Sequence, residues 1–143
     1  MPRRDLDRLH DELDAIFAEM WNGPRFASRL GAFQPSVDTF VSGDPPELTV
    51  LVELPGVDPA TVSLVVGGRA LLVSGERLRP SGESRLYQQM EIAYGPFARR
   101  IRLPADVDPE RAQAEYERGV LRVSLPLAEA PARGRISIAL EAK

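Results

Sequence analysis

The sequence predicts an all-β sandwich, and three observations carry that reading. Thirteen prolines and eleven glycines divide the 143 residues into short segments. From Pro35 onward those segments read as regular short strands between turn signals, which argues against a helical or α/β fold. One of them, residues 112–126, reads as a complete hairpin. Ala112, Ala114 and Tyr116 alternate with Gln113, Glu115 and Glu117, and on the return Leu121, Val123 and Leu125 alternate with Arg122 and Ser124. That is the period of a half-buried strand. The connection Glu117-Arg118-Gly119 ends in a residue that reaches positive φ without strain, which predicts a three-residue loop with a bulge. Pro126 cannot donate to a ladder, so the strand should stop there.

The remaining elements follow in chain order. Residues 3–21 are the one helix candidate. Leu6, Leu9, Leu13, Ile16, Phe17 and Met20 fall on one stripe. Asp7, Arg8, Asp11, Glu12 and Glu19 lie off it, and Asn22-Gly23-Pro24 ends it. Such a helix packs on its own domain or serves as a sticky arm; membrane-surface binding is disfavoured because its polar face is more acidic than basic. Phe26, Leu30 and Phe33 extend the apolar character without a clear period. Val37–Val41 is a short strand, and Gly43-Asp44-Pro45-Pro46 is a turn. Leu48–Leu54 is a strong strand with Val50, Val52 and Leu54 on one face, stopped by Pro55-Gly56. Thr61–Val66 is the next strand, Gly67-Gly68 a two-residue hairpin turn needing positive φ, and Ala70–Ser74 the return.

Residues 75–96 are long for a connection in a compact domain, and long loops are usually functional. Leu86, Gln88 and Met90 could form a lone strand there. Gly95–Pro104 is another strand. Residues 106–110 predict one helical turn before the hairpin. Residues 128–135 are small and flexible. They lead to Ile136-Ser137-Ile138, two β-branched side chains on one face of an extended segment. That is a plug for a groove beside a sheet edge, or else a last strand of the same domain.

Composition excludes several function classes. There is no cysteine, which removes disulfides, thiolate metal sites and thiol catalysis. The net charge of -3 is small and Lys and Arg are dispersed, so no nucleic-acid footprint is visible. No apolar run suits a secretory signal or a membrane span, and a cytoplasmic location is expected. His10 is the single histidine and lies on the polar side of the helix candidate. No catalytic set, cofactor motif or metal-ligand spacing can be assembled, so neither an enzyme nor a cofactor is expected.

Ala114, four residues, Gly119-Val120-Leu121 and then Leu125-Pro126 resemble the most recognisable motif of the small heat-shock protein (α-crystallin) family, bacterial type. Further resemblances fall in the same order as in the family. They are Glu53-Leu54-Pro55-Gly56-Val57, Gly75-Glu76-Arg77, the run from Tyr94-Gly95 to Leu103-Pro104, and Ile136-Ser137-Ile138, which is similar to its C-terminal anchoring motif. The resemblance covers about residues 35–126 plus the tail motif. It implies an immunoglobulin-like β-sandwich, the α-crystallin domain, at residues 35–127. An N-terminal amphipathic helical arm would occupy 1–34 and a flexible C-terminal extension 128–143. It implies a homodimer in which the segment Ser81–Tyr94, with Leu86, Tyr87, Gln88 and Met90, enters the partner's sheet. Arg99 would sit at the dimer contact, paired with an acid. Arm and tail are both short, so the large cages common in the family would be small or absent.

The implied activity is that of an ATP-independent holdase, which keeps unfolding proteins soluble and hands them to ATP-driven chaperones. Its clients would expose apolar surface and unpaired strand edges. The expected client surface is the arm, through Leu6, Leu9, Leu13, Ile16, Phe17, Met20, Trp21, Phe26 and Phe33. A second candidate is the groove between Thr61–Val66 and Gln113–Tyr116, lined by Val62, Leu64 and Val66. Ile136 and Ile138 would anchor the tail weakly and exchangeably. The rival reading is a monomeric β-sandwich co-chaperone or interaction module without holdase activity. It would need neither the strand-bearing loop nor the Ile-x-Ile tail. A shell protein without client binding is a third class.

Overall fold

The computed structural model describes residues 33–81, 84–128 and 135–143. The arm residues Leu6, Leu9, Leu13, Ile16, Phe17, Met20, Trp21 and Phe26 lie outside that range. Nine strands are present among the described residues: β1 (Val37–Ser42), β2 (Glu47–Glu53), β3 (Ser63–Gly67), β4 (Ala70–Arg77), β5 (Gly95–Arg102), β6 (Gln113–Glu117), β7 (Val120–Pro126), β8 (Arg135–Ser137) and β9 (Leu140–Ala142). They form two sheets, ordered β1-β2-β7-β6-β9 and β5-β4-β3-β8.

Alternation along the strands builds the core. Leu48, Val50, Val52 and Leu54 of the β2 segment are fully buried, as are Leu121, Val123 and Leu125 of β7. From the other sheet come Leu64 and Val66 of β3, Leu71 and Val73 of β4, and Phe97 and Ile101 of β5. The two inner faces interdigitate, as two packed sheets must to keep water out. At one point the fit demands glycine. Gly75 pairs across the ladder with Phe97, and a Cβ at Gly75 would lie 2.9 Å from the Phe97 ring.

Several element boundaries differ from the sequence reading, each for a local reason. The third strand starts at Ser63 rather than Thr61. Asp58 caps a 3-10 turn at Pro59–Thr61, its side chain accepting from the Ala60 N–H at 3.0 Å. The β3–β4 turn is Gly68-Arg69, with Gly67 paired to Ala70 inside the ladder. The predicted helical turn before the hairpin lies at Pro109–Arg111, capped by Asp108. The β6–β7 loop has two residues, not three, because Glu117 pairs directly with Val120. Both loop residues, Arg118 (φ 53°) and Gly119 (φ 78°), take positive φ, the turn geometry that matches strand twist without a bulge.

The tail holds two strands rather than an isolated Ile-x-Ile. Strand β8 runs antiparallel to β3, and β9 runs parallel to β6. The chain therefore leaves the edge of one sheet and reaches the edge of the other. Three residue steps, Ser137 to Leu140, make that crossing. At about 3.3 Å per extended residue they span the roughly 10 Å between packed sheets.

Candidate functional site

The groove is built by the β3 edge on one side and the β6 edge on the other. Leu64 and Val66 share the inward face of β3, and Val62 packs against the same apolar cluster from the turn that precedes it. All three were expected to line a candidate client groove plugged by the tail. Leu64 and Val66 are buried core residues, and the tail occupies the groove. Val66 pairs with Ile136 and Val65 with Ser137 in the β3–β8 ladder. The Ile138 N–H then donates to the Leu64 carbonyl at 2.9 Å, and the Ile138 side chain joins the core. Beyond it Leu140 packs against the core, the Lys143 N–H donates to the Tyr116 carbonyl at 2.9 Å, and Lys143 Nζ lies 3.2 Å from Glu115. The structure thus brings the anchor residues Ile136 and Ile138 together with Val62, Leu64 and Val66, all within one chain. Leu140 and Lys143 were missed. The signal was present, since Ile136, Ser137, Ile138, Ala139 and Leu140 continue the alternation one step past the recognised motif.

A second surface lies at the far end of β4. Phe33 was expected to be sticky and accessible. It is buried at 8% exposure, edge-on to Phe97 with centroids 5.4 Å apart. The Arg77 guanidinium covers its other side, 3.7 Å from the ring centroid. Cation–π contact of this kind gains strength where water is excluded. Arg77 also donates to the carbonyls of Ala93 and Pro55. Arg79 follows the same pattern further out, 4.7 Å from the Tyr94 ring centroid and 5.3 Å from that of Tyr87. Phe33, Arg77, Tyr94, Arg79 and Tyr87 therefore form an alternating aromatic–arginine series. Hydrogen bonding from Arg79, then from Arg85, lowers the Tyr87 phenol pKa below its ordinary 10.0.

The series ties down one end of the long loop and leaves the rest exposed. Leu86, Gln88 and Met90 form no strand in the single chain, because no neighbouring edge pairs with them. Leu86 is 91% exposed, and Tyr87, Met90 and Ile92 are also open to solvent. At the edge away from the tail, the outer side of β1 has no partner strand among the described residues, and Phe40 and Val41 on it are exposed. Arg99 is half-buried on β5 and donates to the Pro35 carbonyl at 2.9 Å. In the single chain its hydrogen-bond acceptor is a backbone oxygen.

Among the described residues no group of three or more His, Cys, Asp or Glu is placed to hold a metal ion, and no helix is long and apolar enough to cross a membrane.

A sandwich whose tail seals the groove beside its own β3 edge, with a free apolar loop between β4 and β5, defines the class. A sequence model of the Hsp20/alpha crystallin family matches residues 41–141, and the chain belongs to that family of small, non-enzymatic heat-shock proteins. The chain is 33% identical over 140 residues to the 18 kDa heat shock protein of Streptomyces albus G, covering 96% of this chain and 88% of that one. Among solved structures it resembles heat shock protein 16.0 from Schizosaccharomyces pombe. There the TM-score is 0.56 and the identity 31%, over 75% of this chain and 99% of that one. A small heat-shock protein from Xylella fastidiosa, described as having a distinct high order structure, aligns with a TM-score of 0.58 and 29% identity. That alignment covers 76% of this chain and 98% of that one.

Proposed function

We propose that this protein is an ATP-independent holdase of the cytoplasm, one that binds partly unfolded proteins through apolar surface and keeps them from aggregating under heat or other stress. The observation that carries the reading is the position of Ile138. Its side chain is buried among the core residues, yet it belongs to a terminal segment held by two three-residue strands. Withdrawal of that segment bares Leu64, Val66 and two unpaired strand edges together. Those are the features that an unfolding chain offers and seeks. The arm, residues 1–34, is the second client surface on the strength of its apolar stripe.

The same reading makes the protein a homodimer by strand exchange. The exposed loop with Leu86, Tyr87, Gln88 and Met90 supplies a strand, and the open β1 edge of a second copy accepts it. Pairing removes the unsatisfied backbone groups of both. Tails exchanged between dimers would build higher oligomers, and bound clients would pass to ATP-driven chaperones.

The test is a heated model enzyme whose aggregation is followed by light scattering, with and without this protein and without nucleotide. The mixture is then sized by chromatography with multi-angle scattering. Suppressed scattering with client co-eluting in a soluble complex is expected. No suppression at several-fold excess, with the protein running as a monomer, would replace the holdase by a docking co-chaperone.

A further inference from the structure

Three apolar residues are buried on the outer side of the four-stranded sheet, away from the core. Leu64, Val66, Leu71 and Val73 point inward, so Val65, Ala70 and Leu72, one position out of step on the same strands, point outward. None of the three belongs to the core cluster, yet their exposures are only 3%, 6% and 4%. The register sets them in two rows across the strands, Val65–Leu72–Arg100 and Gly67–Ala70–Arg102. The outer face of a two-layer sandwich is ordinarily solvated and polar, so apolar side chains buried this completely need a cover. The opposite sheet packs on the inner face only. The large apolar side chains of the long loop, Leu78, Leu86, Met90 and Ile92, are themselves exposed and supply none. Residues 129–134 are Glu, Ala, Pro, Ala, Arg and Gly, too small a set of apolar groups to do so. The N-terminal arm carries the apolar side chains that such a cover requires.

We propose that the outer face of β3 and β4 is the docking site of the chain's own arm, residues 3–21, which lays its apolar stripe over Val65 and Leu72. Charge fits this occupant. Arg100 and Arg102 on β5 border the apolar patch along one side. On the helix that the apolar period of the arm predicts, Asp5, Glu12 and Glu19 recur every seven residues, two turns apart, and so line one border of the stripe. An acidic border on a basic one fixes which way round the helix lies. The patch is also flanked by small residues, Gly67 in the row with Ala70 and the pair Ser74–Ala98 next to Leu72, which leaves room for a helix to approach. Reach fits as well. Phe33 is held against Phe97, which pairs with Gly75, three residues along β4 from Leu72. The twelve residues between Met20 and Phe33 span up to about 40 Å, several times the distance along the strand from Gly75 to Leu72. Tethered so close, the arm of the same chain has the advantage of effective concentration over any second copy. The docked arm hides the stripe assigned above to clients, so client binding would require its withdrawal. That consequence rests on the holdase reading, whereas the docking itself does not.

The test is methyl NMR of the full chain with a soluble gadolinium chelate. The Val65 and Leu72 methyls should be as well shielded from the chelate as those of the inward Leu71 and Val73. Leu9→Asp with Leu13→Asp, both in the arm and outside the sandwich core, should raise the paramagnetic relaxation of the Val65 and Leu72 methyls at least fivefold and leave Leu71 and Val73 unchanged. Equal shielding of Val65 and Leu72 in parent and variant overturns the proposal. A second measurement alters no apolar residue. The chain has no cysteine, so Asp11→Cys gives a single site for a nitroxide label, and that label should broaden the Val65 and Leu72 methyls. No broadening overturns the docking. Broadening of methyl-labelled chains by nitroxide carried on other, mixed-in chains would assign the face to a second copy and overturn the occupant proposed here. Arg100→Glu with Arg102→Glu should reduce the broadening several-fold, and Glu12→Arg with Glu19→Arg should restore it. Broadening that ignores both pairs of substitutions overturns the charge match. Neither measurement involves a client or aggregation, so failure of holdase activity and failure of this docking are separate outcomes.

Discussion

Leu54 donates its backbone N–H to the Gly119 carbonyl across 2.7 Å. The contact joins the Leu-Pro-Gly turn after β2 to the β6–β7 hairpin loop, two stretches more than sixty residues apart in sequence. Tyr116 closes the same junction, its hydroxyl donating to the Leu54 carbonyl at 2.7 Å. At Gly119, φ is 78° and an added Cβ would sit 3.1 Å from the Pro55 Cα. Gly119→Ala should therefore destabilise the domain by about 1–3 kcal/mol, since both the backbone conformation and the space are closed to a side chain. The urea midpoint of the variant measures this, and a midpoint equal to that of the parent would show that the loop relaxes freely.

Phe33 behaves as a core residue, so its truncation should act on stability. Phe33→Ala removes the edge contact with Phe97 and uncovers Arg77. The expected loss is about 3–5 kcal/mol, the usual cost of emptying a buried aromatic site. Thermal and urea unfolding would report it. A near-neutral change would mean that Phe33 contributes surface rather than core.

Arg99 ties β5 to the segment that leads into β1, through Pro35. Arg99→Gly deletes that hydrogen bond, worth about 0.5–1.5 kcal/mol net, and loosens the strand. A lower melting temperature is expected, together with a shift from dimer toward monomer in light-scattering mass. Arg99→Ala separates the lost guanidinium from the added backbone freedom. Unchanged mass and melting temperature in Arg99→Gly would remove Arg99 from both roles.

Tyr87 should be visible by titration. Its phenol is held below 10.0 by the hydrogen bond from Arg79 and then that from Arg85. An acid whose pKa is lowered by folding stabilises the fold only when ionised. The contribution is complete above 10.0 and is lost as pH falls through the lower folded value. Ultraviolet titration of the three tyrosines should show one phenol ionising below 10.0. Tyr87→Phe should abolish that phase, and Arg79→Ala should move it upward. Identical curves for the parent and Arg79→Ala would show that the Arg79–Tyr87 contact does not persist in solution.

Much of this molecule was legible from local pattern. Alternation in Leu48–Leu54 and in Leu121–Leu125 identifies both strands and their buried faces, because strand burial has a period of two and needs no knowledge of the partner. Pro126, Pro55-Gly56 and the glycine turns mark the ends for equally local reasons. The Ile136-Ser137-Ile138 segment was legible as an extended piece with two branched side chains on one face, and the structure holds its first part as β8 against β3.

What the chain alone determined, then, is its strands, their inward faces and its kinship with the small heat-shock proteins. Only the tertiary structure decided where residues of ambiguous character go. An isolated phenylalanine such as Phe33 reads equally as core or as sticky surface until Phe97 and Arg77 enclose it. Arg118 at positive φ carries no propensity signal, and the direct pairing of Glu117 with Val120 imposes that conformation. Leu140 gains its role only because β3 and β6, each next to the last strand of its sheet, lie at a separation that three extended residues span. Periodicity reports which side of a strand is buried. It carries no distance between strands far apart in the chain, and the groove is made of that distance.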